Sequence, residues 1–164
     1  MSRRNTALYV VALLLACACV AGAVLVYLER GDRAEAKTEQ ERYGAVLASA
    51  RSEADALMNI GYLDPQAAID EITSGATGEF KEEFEQGSDP LTELLEEGEV
   101  TQEGKVVWAG VVAVDSDSAR VIVATSGTAT STSNKDEHAV SFRMQLDLEL
   151  VDGDWLTEKL EFIK

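Results

Sequence analysis

Residues 140–150 read VSFRMQLDLEL, in which Val140, Phe142, Met144, Leu146, Leu148 and Leu150 alternate with Ser141, Arg143, Gln145, Asp147 and Glu149. Successive side chains of a strand point to opposite faces, so this period of two predicts a strand with one buried and one wet face. Asp152-Gly153 suits a tight hairpin turn, after which Trp155 to Ile163 returns as the last strand. Upstream, Gly127 to Asp136 (GTATSTSNKD) is small and polar without periodicity and reads as a mobile hairpin loop. Before it, Ala119 to Thr125 is rich in β-branched residues and Asp115 to Ser118 reads as a turn. Val106 to Val114 is apolar at both alternating positions, which predicts a central strand covered on both faces. These stretches predict a four-stranded antiparallel meander.

Ahead of the meander the period changes. Tyr43, Val46, Leu47, Ala50, Ala54, Leu57 and Met58 recur at spacings of three and four, predicting an amphipathic helix that Gly61 breaks. Sustained heptads are absent, so the stripe suits packing on the sheet, with a homo-oligomer through it as the open alternative. Asp64-Pro65 starts a second helix: the carboxylate can accept from an orphan amide, and proline at the first helical position loses no hydrogen bond. Ala68, Ile69 and Ile72 form its buried side and Gly75 stops it. Thr77 then caps a third helix carrying Phe80 and Phe84 one turn apart, and Asp89-Pro90 opens a short fourth with Leu91, Leu94 and Leu95 inside and Gly98 as terminator. Helices first and strands second predict an α+β class, with the helices packed on a curved sheet.

The 164 residues carry 30 acidic and 14 basic side chains, a net charge of −16. A polyanion without a basic patch is repelled by phosphate backbones, which excludes a nucleic-acid partner. Cys17 and Cys19 lie two apart in an apolar run and can neither staple a fold nor assemble a zinc site.

From Ala7 to Leu28 the chain runs 22 residues without a charge, behind Arg3 and Arg4. As a helix at ~1.5 Å per residue that spans roughly 33 Å, enough to cross a bilayer, and the arginine flank keeps the N-terminus inside. A signal peptide cleaved near Ala21-Gly22-Ala23 and a lipoprotein acylated at Cys17 are the alternatives. The chain thus divides into a cytoplasmic tip (1–6), a transmembrane anchor (7–28), a stalk with the first amphipathic helix (29–60) and an extracytoplasmic α+β domain (61–164). The expected location is the cytoplasmic membrane, single-pass, with the C-terminal domain outside.

Helices followed by a curved antiparallel sheet, behind one span, resemble the nuclear-transport-factor-two-like cone, found also in type IV secretion accessory proteins. Thr77-Gly78-Glu79-Phe80-Lys81-Glu82-Glu83-Phe84, Ala109-Gly110-Val111-Val112, Asp117-Ser118-Ala119-Arg120-Val121-Ile122-Val123 and Gly153-Asp154-Trp155-Leu156 are similar to stretches of actinobacterial Mce-associated membrane proteins, which join a single span to a nuclear-transport-factor-two-like or cystatin-like domain. The resemblance implies a partner among the subunits of a mammalian-cell-entry-type lipid importer. Phe80, Phe84, Trp108, Val112, Phe142, Met144, Leu146 and Trp155 are the expected lining or core of the cone.

Chemistry is sparse. His138, the single histidine, sits beside Asp136 and Glu137 at the mouth of a polar loop, where it is solvated rather than poised as a base. Asp115-x-Asp117 and Asp152-x-Asp154 pair carboxylates, but neither continues as a calcium loop and each is explained by turn propensity. No catalytic, cofactor-binding or metal-binding residue is assigned, and no cofactor is expected. Two function classes remain: a membrane-anchored accessory protein acting by contact, and a carrier holding an apolar molecule or lipid inside the cone.

Topology is testable directly. In spheroplasts, a cysteine introduced by Ser131→Cys should react with a membrane-impermeant maleimide, whereas labelling only after lysis would reverse the orientation.

Overall fold

The computed structural model describes residues 38–164; the apolar run, Cys17 and Cys19, and the stalk through residue 37 lie outside the described residues. Helix α1 is described over 38–58 and buries Val46, Ala50, Ala54 and Met58, as its stripe predicts. Val46, Ala50 and Ala54 join one core cluster with the sheet, and the compact unit running from Tyr43 to Lys164 includes this stretch of helix. A two-residue strand β1 (Ile60–Gly61) follows. Helix α2 (Pro65–Ser74) starts as expected: Asp64 accepts from the amide of Ala67 at 3.1 Å, Pro65 holds the first position, and Gly75 ends the helix.

Helix α3 (Gly78–Gly98) corrects three expectations. Asp89-Pro90 does not open a new helix; Pro90 lies inside one continuous helix of 21 residues. Its missing N–H orphans the carbonyl of Gln86, an exposed residue whose turn faces water, so the loss is tolerated. Thr77 makes no side-chain capping bond, and the left-handed residue at the far end is Glu99, φ 43°, rather than Gly98.

The sheet consists of β2 (Thr101–Val114), β3 (Ser118–Thr130), β4 (His138–Val140), β5 (Arg143–Val151) and β6 (Asp154–Phe162), with β1 added at one edge. Its order is β1-β2-β3-β5-β6, with β4 also on β3, and every named pair is antiparallel. The predicted meander is therefore present as four long strands, while the full sheet has six. The stretch read as one strand from Val140 to Leu150 is two pieces on the same side of β3. At the break the amide of Phe142 meets the hydroxyl of Thr125 at 3.3 Å, so a side chain replaces a rung of the ladder.

The polar stretch after Gly127 is shorter as a loop than its composition predicts, because β3 runs on to Thr130. Gly127 lies opposite Gly104, and a Cβ on it would fall 2.2 Å from the carbonyl oxygen of Glu103. Two facing glycines let the strands close there, and β4 pairs on the other side.

Strand β2 is not covered on both faces. Its register shifts between Val106 and Trp108 and between Val111 and Ala113, so Val107 and Val112 are extra, unpaired bulge residues. The apolar run that looked two-faced is a strand whose facing resets twice. On β5 the alternation holds: Met144, Leu146 and Leu148 are buried opposite Val123, Val121 and Ala119. On its other face Asp147 forms a two-pronged pair with Arg120, at 2.6 and 2.9 Å.

Leu146, 0% exposed at the centre of this core, should cost about 2–5 kcal/mol as Leu146→Ala. Asp147→Ala, on the opposite face, should move the melting temperature by less than about 2 °C. Thermal denaturation of the two full-length variants checks this, and equal shifts would contradict the register.

Candidate functional site

Three features of the described residues could meet another molecule: an apolar cavity under the helices, a polar hollow on the far side of α1, and an open strand edge. The apolar cavity, about 240 Å3, lies among Leu57 and Met58 of α1, Ile72 of α2, Phe84 and Leu91 of α3, and Phe142, Met144 and Phe162 of the sheet region. Gln102, the polar side chain in its wall, spends its amide on the carbonyls of Leu57 and Met58, at 3.2 and 3.4 Å, closing the end of α1. Phe142 and Phe162 meet edge-on with ring centres 5.6 Å apart, and Phe80 tilts against Phe84 at 5.9 Å.

The residues expected to line the cone therefore separate. Phe84, Phe142 and Met144 line the cavity, with Phe80 half-buried behind Phe84. Leu146 is sealed in the core, and Trp155 is buried at the polar hollow instead. Trp108 and Val112 are neither lining nor core: with Val107 they are 55, 58 and 57% exposed, respectively. The two register shifts on β2 are the cause. Trp108 lies against Gly110, where a Cβ would fall 2.6 Å from its ring.

This edge of β2 is open for most of its length. β1 pairs only with Thr101 and Gln102. Beyond them side chains serve the edge: Asn59, just past the end of α1, bonds both the amide and the carbonyl of Gly104, each at 3.1 Å, and Asp55 of α1 accepts from the amide of Val106 at 2.8 Å. From Val107 to Val114 no strand among the described residues pairs with the outer side.

His138 is exposed at the start of β4 with Nδ1 3.4 Å from the amide of Asn134. Asp115, Asp117, Asp152 and Asp154 are exposed turn or strand-end residues. Asp152 and Gly153 have φ of 53° and 101°, the left-handed geometry of a two-residue hairpin. Among the described residues no three metal-ligating side chains converge.

Sequence reasoning missed Glu53. Its side chain is 3% exposed, and Oε1 has no hydrogen-bond partner. Burial, followed by repulsion from Glu71, raises its pKa from 4.5 to about 8. The signal was present: Glu53 stands seven residues after Val46, three after Ala50 and four before Leu57, inside the apolar stripe. The hollow it faces is also lined by Ser49, Ser52, Glu71, Asp154 and Trp155. Ser49 donates to the carbonyl oxygen of Trp155, which ties α1 to β6.

A raised acid pKa means that the folded state holds a proton the unfolded state has lost. The contribution of this group to stability is therefore fully present below pH 4.5 and is lost progressively as pH rises to about 8. Glu53→Gln should flatten that decline, as read from denaturant midpoints between pH 5 and 9.

Residues 5–164 match the family described as "Uncharacterized protein Rv1363c/MT1408-like". The "Uncharacterized protein Rv1363c" of Mycobacterium tuberculosis (strain ATCC 25618 / H37Rv) is 24% identical over 129 residues, covering 79% of this chain and 49% of that protein. The chain thus spans about half the length of the curated relative. Among solved structures, an IcmL-like type IV secretion system protein from Legionella pneumophila superposes with a TM-score of 0.58 at 10% identity, over 71% of this chain and 88% of its own. A ketosteroid isomerase-like protein from Erwinia carotovora atroseptica gives 0.56 at 19%, over 76% and 98%. At such identities the likeness establishes the fold, helices on a curled antiparallel sheet, and leaves activity aside. With its match running from residue 5 to the last residue, the chain belongs to the Rv1363c/MT1408-like family.

Proposed function

We propose that this chain is a non-enzymatic accessory protein, anchored in the cytoplasmic membrane by residues 7–28, whose extracytoplasmic domain acts by protein contact within a mammalian-cell-entry-type lipid import system. The contact reading is carried by the outer edge of β2. Unpaired edges invite pairing with another chain and are ordinarily blunted by charge or proline. Residues 106–114, VVWAGVVAV, hold neither, and Val107, Trp108 and Val112 are each more than half exposed. An edge of this kind suits an added strand from a partner, with backbone bonds for affinity and apolar side chains for burial. The lipid-import setting rests on the resemblance of the four quoted motifs. The name of one solved neighbour, a type IV secretion system protein, is in keeping with a domain that works inside a membrane-associated assembly.

Volume weighs against the carrier alternative. Small-molecule sites usually measure about 300–1,000 Å3. The apolar cavity has about 240 Å3, and the polar side chain in its wall is already committed to the end of α1.

Affinity purification of the tagged full-length protein from its native membrane in mild detergent should enrich permease or substrate-binding subunits of such an importer. Val112→Lys, at an exposed bulge, should lower that enrichment by about tenfold without changing the melting temperature. If no importer subunit is enriched, and gene deletion leaves sterol and fatty-acid uptake unchanged, the reading fails.

A further inference from the structure

The outer side of β2 carries a symmetry that its bulges create. The carbonyl of Ser118 faces β2, where it accepts from Asp115, and the amide of Thr125 faces away, donating to Phe142. Even-numbered residues of β3 therefore bond to β2, and odd-numbered ones turn from it. The β2 partners of those odd-numbered residues are Val106 (of Thr125), Ala109 (of Val123), Val111 (of Val121) and Val114 (of Ala119). Their amides and carbonyls point out from the sheet edge, as the bond from the Val106 amide to Asp55 shows. A regular strand repeats every two residues and meets a copy of itself equally well in many registers. Here the bulges at Val107 and Val112 make the steps three, two and three, so only a two-fold axis at Gly110 maps all four positions onto one another.

The side chains share that centre. In antiparallel pairing about Gly110, Lys105 falls opposite Asp115 of the other copy, Trp108 opposite Val112 and Ala109 opposite Val111. Val106, Ala109, Val111 and Val114 pack toward the core cluster, so by alternation Lys105, Trp108, Gly110 and Asp115 share the opposite face. The Trp108 ring lies over Gly110, in the space that a Cβ there would need.

We propose that a second copy of this chain docks at this edge, its β2 antiparallel to the first about a two-fold axis at Gly110. Ala109 and Val111 of one copy then exchange backbone hydrogen bonds with Val111 and Ala109 of the other. Asp55 already holds the amide of Val106, so the bonded centre is Ala109 to Val111, and a Lys105–Asp115 pair stands at each end. Charge selects a copy of the same chain. A strand of uniform sign would meet Lys105 or Asp115 with like charge, whereas a copy matches both. The remaining acidic surface opposes pairing only weakly, because exposed charges more than about 8 Å apart are largely screened at physiological salt. The interface uses the same patch on both partners and closes at two copies. This inference rests on the reading of the β2 edge as a contact surface and names the arriving strand as the chain's own, making the pair the unit that meets importer subunits.

Two full-length copies bearing different tags, co-expressed and captured through one tag in mild detergent, provide the test. Wild-type copies should co-purify. Lys105→Glu paired with itself, or Asp115→Lys paired with itself, sets like charges across both ends and should lower co-capture several-fold. Lys105→Glu paired with Asp115→Lys should restore it, because every facing pair is again of opposite sign; contact through residues 7–28 gives no such pattern. Both positions are exposed. Without any substitution, hydrogen exchange at the Ala109 and Val111 amides should slow by about tenfold as the protein is concentrated from single copies to pairs. Wild-type copies that do not co-purify, single swaps without effect, a mixed pair no better than either variant alone, or exchange independent of concentration would overturn the inference. Importer subunits enriched with a single copy of this chain would also overturn it, leaving the proposed function standing; paired copies without importer subunits would do the reverse.

Discussion

The pairing of β3 with β5 is the constraint from which the rest follows. Val121 opposite Leu146 and Val123 opposite Met144 place four fully or nearly fully buried side chains on one face of two strands. A slip of β5 by one residue would turn Leu146 and Met144 outward and carry Asp147 to the core face, away from Arg120. Helix α1 covers this face with Val46, Ala50 and Ala54, where small side chains at two of three contacts bring the helix close to the sheet. The closeness has a consequence for Glu53, which lies on the same helix beside that stripe and is buried without a charged partner of opposite sign.

Much of this architecture was legible in the chain. The alternation from Met144 to Leu148, the Asp64-Pro65 start of α2, the Asp115 turn and the Asp152-Gly153 hairpin each follow from local chemistry that tertiary contacts reinforce. What local chemistry could not supply was pairing. Residues 127–130 carry no apolar alternation, and they join β3 because β2 and β4 flank them. Pro90 looked like a helix start because the sequence does not reveal that the turn before it faces water. The candidate sites divide along the same line. Phe84, Phe142 and Met144 were found by their apolar spacing, whereas the exposure of Trp108 and Val112 depends on two bulges that leave no mark in an unbroken apolar run.

The helix side of the molecule sorts its polar groups by what they serve. Asn59 and Asp55 finish the ladder of β2, and Gln102 returns the favour at the end of α1. These amides and carboxylates are spent on backbone and are poor prospects for a ligand. Glu53 and Thr157 have buried oxygens that no protein donor or acceptor meets. Of the two, Glu53 lines the polar hollow, and a hydroxyl such as that of Thr157 has no ionised form for burial to penalise.

Helix α1 also acts as a ruler. Ser49 is bonded to β6 and Asp55 to β2, the two outer long strands of the meander, and Asn59 adds a second hold on β2 one turn later. Each residue added to or removed from a helix rotates everything beyond it by about 100°. One inserted residue between Ser49 and Asp55 would therefore carry one set of bonds off its strand, however well its side chain suited a helix. Length variation among relatives has no such penalty in the surface loop at 131–137. The spacing within α1, more than the identity of its exposed residues, is the quantity that the fold holds fixed.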